Sequence, residues 1–216
     1  MRFSGVIFDL DGTLLDTIED IGLTMNLVFG RRGFPPFSIA DCMRMVGDGM
    51  EVLVRRALPG GSGDEALVDE IVQEYREAYG LAWRDHSRPY PGVPELLEGL
   101  KARGVRSAVL SNKSHPFTEI MTRELLPFDF DAVLGALPGM PFKPDPSAAL
   151  RIASDMGLPP AGFVFVGDTD IDMETARAAG MYPAGALWGF RDAANLRAGG
   201  AEVLLASPGD LLRLFD

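Results

Sequence analysis

The feature that most constrains this chain is a series of short apolar runs, each ending on a small or acidic residue. Residues 5–8 run into Asp9, residues 107–110 into Ser111, and residues 163–166 into Gly167. Runs this short and this continuously apolar are the signature of strands buried on both faces, as in a parallel sheet. Residues 132–134, 183–187 and 202–205 are further strand candidates. Helical periodicity fills the intervals. Pro94 opens it ahead of Leu96, Leu97 and Leu100, Asp145-Pro146 ahead of Ala149, Leu150 and Ile152, and Ser207-Pro208 with Asp210 ahead of the last leucines. The alternation predicts an α/β fold built on a doubly wound, mainly parallel sheet.

Residues 17–88 break that rhythm. They carry amphipathic helical patterns at 18–29, 49–58 and 65–83, separated by Gly33-Phe34-Pro35-Pro36 and Pro59-Gly60-Gly61-Ser62-Gly63, with no convincing strand. The expected organisation is therefore a Rossmann-like core from residues 1–16 and 89–216, with residues 17–88 inserted as an all-helical cap. The insertion leaves and re-enters near the carboxyl end of the first strand, where ligands bind in open α/β sheets.

Composition narrows the setting. With Cys42 as the only cysteine, no intramolecular disulfide can form, and a reducing, cytoplasmic compartment is expected. Cys42 lies in a helical pattern far in sequence from His86 and His115 and reads as a buried or incidental thiol. The first apolar stretch is interrupted by Arg2 and Asp9, unlike a signal peptide, and no run approaches the ~20 apolar residues of a membrane span. A net charge of −11 argues against a nucleic-acid partner. A phosphate site in so acidic a protein needs local positive charge, and the 20 basic residues include only three lysines, Lys101, Lys113 and Lys143.

Four segments carry chemistry. Asp9 and Asp11 flank Leu10 at the end of the first strand, followed by Gly12-Thr13. In extended chain their side chains point the same way, and carboxylates so placed need a cation, a shared proton or separated acid and base roles. A strand followed by an ordinary Asp-Gly turn is the alternative. Asp168, Asp170 and Asp172 alternate after another apolar run, but a calcium loop is excluded because its sixth and twelfth positions are Met173 and Ala179. Placing Asp168 at a strand tip beside Asp9, with Asp172 a turn into the next helix, yields an oxygen-rich site for a hard cation. Magnesium is favoured there if a phosphate completes the shell. Solvated acids at a helix N-terminus are the alternative for Asp170 and Asp172. Ser111-Asn112-Lys113 follows a third strand, where a hydroxyl, a backbone N–H and an amide can hold phosphate oxygens. Lys143, before Pro144-Asp145, is either a point charge for the same phosphate or a solvated loop lysine.

In order and context these segments resemble the haloacid dehalogenase superfamily, specifically its phosphatase branch, over nearly the whole chain including the cap. Within it the chain looks most like phosphoglycolate phosphatases, through Val46-Gly47-Asp48-Gly49 with Leu53, Arg56, Ala57 and Leu58, and through Ser111-Asn112-Lys113 with Pro116-Phe117. The resemblance implies Mg²⁺-dependent hydrolysis of a small, phosphoglycolate-like monoester. It makes Asp9 the nucleophile that forms an aspartyl-phosphate and Asp11 the general acid and base. It places Mg²⁺ on the carboxylates of Asp9 and Asp168 and the backbone carbonyl of Asp11, with Asp172 either a ligand or holding a metal-bound water. Ser111 and Lys143 would grip the phosphoryl oxygens.

Dehalogenation is disfavoured because dehalogenating relatives lack an acid two residues after the nucleophile, where this chain has Asp11. Phosphonoacetaldehyde hydrolysis would need a cap lysine, and residues 17–90 contain none. A sugar-phosphate mutase shares every core motif and stays open, as does a non-enzymatic binding protein with a relic site. For substrate recognition, Arg44, Arg55 and Arg56 lie near Gly47-Asp48-Gly49. An arginine there, Arg44 or Arg56 above all, would pair with a substrate carboxylate, unless these are solvated helix charges.

Overall fold

A computed structural model describes residues 3–61 and 64–216 of the chain. The strands are β1 (Gly5–Phe8), β2 (Leu15–Asp16), β3 (Arg88–Pro89), β4 (Arg106–Ser114), β5 (Ala132–Ala136), β6 (Phe163–Gly167), β7 (Tyr182–Ala186) and β8 (Val203–Leu205). Six of them form one sheet in the order β5-β4-β1-β6-β7-β8, and every pairing in it is parallel. The helices are α1 (Ile18–Gly30), α2 (Ile39–Met45), α3 (Met50–Ala57), α4 (Glu65–Ala82), α5 (Val93–Ala102), α6 (His115–Leu125), α7 (Ser147–Asp155), α8 (Asp170–Ala178) and α9 (Ala193–Gly199).

Burial explains why the central strands read as unbroken apolar runs. Val6 and Phe8 pack into one hydrophobic cluster and Ile7 into another on the opposite face, each fully or almost fully buried. The first cluster gathers α1, α4 and α5, while the second gathers α7 and part of α8. Alternate residues of each strand thus serve opposite faces, as a doubly wound sheet requires. Because Phe8 is in register with both Val109 and Val166, the chains of β1, β4 and β6 run out together at one edge. The strand order changes direction around β1, and a ligand crevice belongs at that edge.

Helices α1 to α4 all lie between β2 and β3. The two short strands pair antiparallel, Leu15 opposite Pro89 and Asp16 opposite Arg88, so the chain departs and returns side by side. Asp20, in the first turn of α1 and 1% exposed, holds this crossing together. Its carboxylate accepts from the backbone N–H of His86 at 3.0 Å and of Ser87 at 2.8 Å, and from the Ser87 hydroxyl at 2.7 Å.

Two elements differ from the sequence-based expectation. The C-terminal leucines form a 3-10 helix, Pro208–Phe215, whose Leu211 and Phe215 are buried. Strand β4 continues past Leu110 to Ser114, with an irregularity in its register against β5 before Ser114. No helix among the described residues is long and apolar enough to cross a membrane.

The Asp20 arrangement yields a test. Asp20→Ala would leave the N–H groups of His86 and Ser87 and the buried Ser87 hydroxyl without their acceptor, and should lower stability by about 2–4 kcal/mol. Urea unfolding should show a lower midpoint with an unchanged slope; an unchanged midpoint would contradict the structural role assigned to Asp20.

Candidate active site

Three carboxylates converge at the carboxyl edge of the sheet. Asp9 follows β1, Asp168 follows β6, and Asp172 stands in the first turn of α8, where it forms a capping box with Thr169. One oxygen from each lies within 4.8 Å of the others, and all three residues are buried. Facing them is Lys143, itself buried, with its Nζ 2.9 Å from Asp9 Oδ1 and 2.6 Å from Asp172 Oδ1.

Three acids against one ammonium leave two uncompensated negative charges in a buried site. Titration behaviour reflects that deficit. Burial pushes the Asp9 carboxyl up to about 7, although Lys143 opposes it, and Asp172 adds repulsion. Burial also raises Asp168 well above the carboxylate range, with the charges of Asp172 and Asp9 pushing the same way. Burial would lower Lys143, but its attraction to Asp172 and Asp9 prevails and holds it above its ordinary value. A hard divalent cation held by oxygen ligands fits both the charge and the donor set.

Asp168 is held from several sides. Its Oδ1 accepts from the Thr13 hydroxyl at 2.8 Å and its Oδ2 from the Phe190 N–H at 2.8 Å. Gly12, at φ +84°, passes so close that a Cβ there would lie 2.3 Å from Asp168 Oδ2. Gly189 is as crowded, its would-be Cβ 2.3 Å from Asp168 Cβ. The loop Trp188-Gly189-Phe190 thus closes over the cluster, and the Trp188 indole anchors it by donating to the Thr13 carbonyl at 2.9 Å. Sequence reasoning passed over this loop.

Asp11 stands apart from the three clustered carboxylates. After β1 the chain turns rather than staying extended, with Leu10 O accepting from the N–H groups of Thr13, Leu14 and Leu15. The Asp11 carboxylate meets Lys113 Nζ at 3.0 and 3.1 Å and the Thr17 hydroxyl at 2.7 Å. Lys113 also donates to the Tyr79 hydroxyl at 3.0 Å. Lys113 had no assigned role in the sequence reading; its position two residues after Ser111, in a chain with three lysines, was the available signal.

The remaining expected residues divide. Ser111 lines the cavity beside Asp9 and Asp11. The Asn112 amide does not serve as a free phosphate donor. It donates to the carbonyls of Gly47 and Lys143, both at 3.1 Å, and accepts from the Lys143 N–H at 2.8 Å, so it clamps two loops. Arg44 and Arg56 are not brought to this cavity. Arg44 pairs with Asp41, and Arg56 lies 2.5 Å from Asp48 while donating to the Met45 carbonyl at 2.9 Å. Both line a separate polar recess with Asp170, at the start of α8, and Arg191.

The model of the haloacid dehalogenase-like hydrolase family matches residues 6–186. The phosphoglycolate phosphatase of Aquifex aeolicus is 31% identical over 98% of this chain and 96% of its own length. The N-acetylmuramic acid 6-phosphate phosphatase of Pseudomonas aeruginosa is 32% identical over 100% of this chain and 96% of its own. A crystal structure from Lactobacillus delbrueckii subsp. bulgaricus, a candidate phosphoglycolate phosphatase, superposes with a TM-score of 0.93 at 29% identity, covering 100% of this chain and 99% of that one. The chain belongs to the haloacid dehalogenase-like hydrolase family, as a phosphatase resembling the phosphoglycolate phosphatases.

Proposed function

We propose that this chain hydrolyses a small-molecule phosphate monoester with the help of Mg²⁺, through a phosphorylated Asp9. In this reading residues 1–16 and 89–216 carry the chemistry and residues 17–88 cap it. The observation that carries the reading is the pairing of Asp9 with Lys143 inside a cluster two charges short of neutrality, with Asp11 separately held across the same cavity.

Each residue then has one task. An Asp9 oxygen bonds to phosphorus as the bond to the alcohol oxygen breaks, and Asp11 delivers its proton to that departing oxygen. In the second half, water bonds to phosphorus, the Asp9 oxygen leaves, and Asp11 takes the proton from the water. Lys143 and the Ser111 hydroxyl meet the charge on the phosphoryl oxygens. Thr17 and Lys113 hold the Asp11 carboxylate in place. The ion would be held by the carboxylates of Asp9 and Asp168 and the carbonyl of Asp11, and it supplies charge neutralisation and orientation. Asp172 has its two oxygens engaged by Lys143 and Thr169, which supports an indirect role for it.

Phosphoglycolate, named for several relatives, is the reference ester. The mutase reading gains no support, because the relatives described above are phosphatases; isomerisation without phosphate release would favour it. The lone thiol of Cys42 supports a reducing, cytoplasmic setting.

Phosphate release from a panel of monoesters tests the reading. Activity should vanish on chelation and return with Mg²⁺, while Ca²⁺ should substitute poorly because it is larger and more loosely coordinated. Mg²⁺ should also raise the unfolding midpoint, by about 2.7 kcal/mol of stability at a hundredfold excess over Kd, and Asp168→Asn should remove that shift. Full activity after exhaustive chelation would overturn the metal assignment.

The two acids of the first motif separate by leaving group. Asp9→Asn should abolish turnover of every ester. Asp11→Asn should cost about 10²- to 10⁴-fold on alkyl esters and much less in the first step on p-nitrophenyl phosphate, whose leaving group needs little protonation. An equal first-step loss on both esters in single-turnover kinetics would contradict the acid role of Asp11.

A further inference from the structure

The cavity above Asp9 has a volume of about 80 Å³, room for a small ester. Asp9, Asp11, Ser111 and Lys113 line it, with Asn112, Ser114 and Thr169. Most of the other lining residues are apolar or aromatic. Ile21 of α1, Met50 and Leu53 of α3, Tyr75 of α4, Phe117 of α6 and Phe190 surround the space that the alcohol portion of an ester would fill.

Charge reinforces the point. Among the described residues lining the cavity, Lys113 is the only lysine, arginine or histidine. Its three hydrogens are committed to the two Asp11 oxygens and the Tyr79 hydroxyl, so none is left to donate to a substrate carboxylate. Arg44 and Arg56 pair with Asp41 and Asp48, and Arg191 donates to the carbonyls of Met43 and Val46. A carboxylate on the alcohol would leave water for apolar walls beside Asp11 with no free cation to receive it, a costly transfer. An uncharged alcohol with an apolar or aromatic face would be stabilised by the same walls.

We infer that the substrate is a monoester of an uncharged alcohol with an apolar face packed among Tyr75, Phe117 and Met50. The inference rests on the phosphatase reading above and adds the class of alcohol to it. It departs from the carboxylate-bearing substrate that the arginines near Gly47-Asp48-Gly49 led the sequence reading to expect.

The test compares kcat/KM, with Mg²⁺ present, for benzyl phosphate, 4-carboxybenzyl phosphate, ethyl phosphate and phosphoglycolate. All four release unactivated alcohols, so the series separates size from charge. Benzyl phosphate should exceed both ethyl phosphate and phosphoglycolate by about tenfold or more, and the added carboxylate should lower kcat/KM by a similar factor. Phe117→Ala should reduce the ratio of benzyl to ethyl phosphate. Met50→Arg, at a partly exposed position, should shift the ratio of phosphoglycolate to ethyl phosphate upward. A preference for phosphoglycolate over benzyl phosphate in the unaltered chain, with phosphate release intact, would overturn the assigned alcohol class and leave the phosphatase reading standing. Absence of phosphate release from every ester would overturn both.

Discussion

Everything at this site depends on how three buried carboxylates, Asp9, Asp168 and Asp172, are kept together. One buried lysine, Lys143, bridges two of them, and the two negative charges left over are what a divalent cation would neutralise. The surroundings look designed around this conflict. Thr13 and the Phe190 N–H hold Asp168, the Thr169 capping box holds Asp172, and glycines stand wherever a Cβ would strike a carboxylate. The Gly12-Thr13 pair after Asp11 has a packing reason: Gly12 makes room for Asp168 and Thr13 donates to it.

A second set of contacts seats the inserted helices over the sheet edge. Lys113, on the far end of β4, joins Asp11 to Tyr79 of α4. Asn112 beside it reaches the Gly47 carbonyl between α2 and α3, and Arg191 donates to the carbonyls of Met43 and Val46. The residues that frame the proposed chemistry therefore also fix the roof of the cavity. The arrangement of the proposed general acid is tied in this way to the position of the helices that face the alcohol.

Much of this was legible in the sequence, for a physical reason. Asp9, Ser111 and Asp168 each terminate or closely follow an apolar run, and a strand buried on both faces must deliver the next residues to the sheet edge. Three of the four helices between β2 and β3 showed themselves by a change of period from strand-like runs to helical spacing, whereas α2 did not. Other features depend on tertiary contacts that no local pattern encodes. Asp20 looks like any acid in a first helical turn, yet it accepts from a chain segment 66 residues away. Arg44 and Arg56 have the right chemistry for a substrate anion, but Asp41 and Asp48 capture them first. Some signals were present and unread. His115-Pro116 opens α6, and Asp192 caps α9, which ends on Gly200 in the left-handed region.

The central claim is that Asp9, rather than a hydroxyl or a water, takes the phosphoryl group. The most direct measurement is to quench turnover in acid, digest the protein and locate phosphate by mass spectrometry. The account predicts an acid-trapped adduct on the peptide containing Asp9, more abundant when Asp11 is replaced by Asn and a good leaving group is supplied. Phosphate on Ser111, or no protein-bound phosphate under conditions where the second half-reaction is slowed, would contradict it.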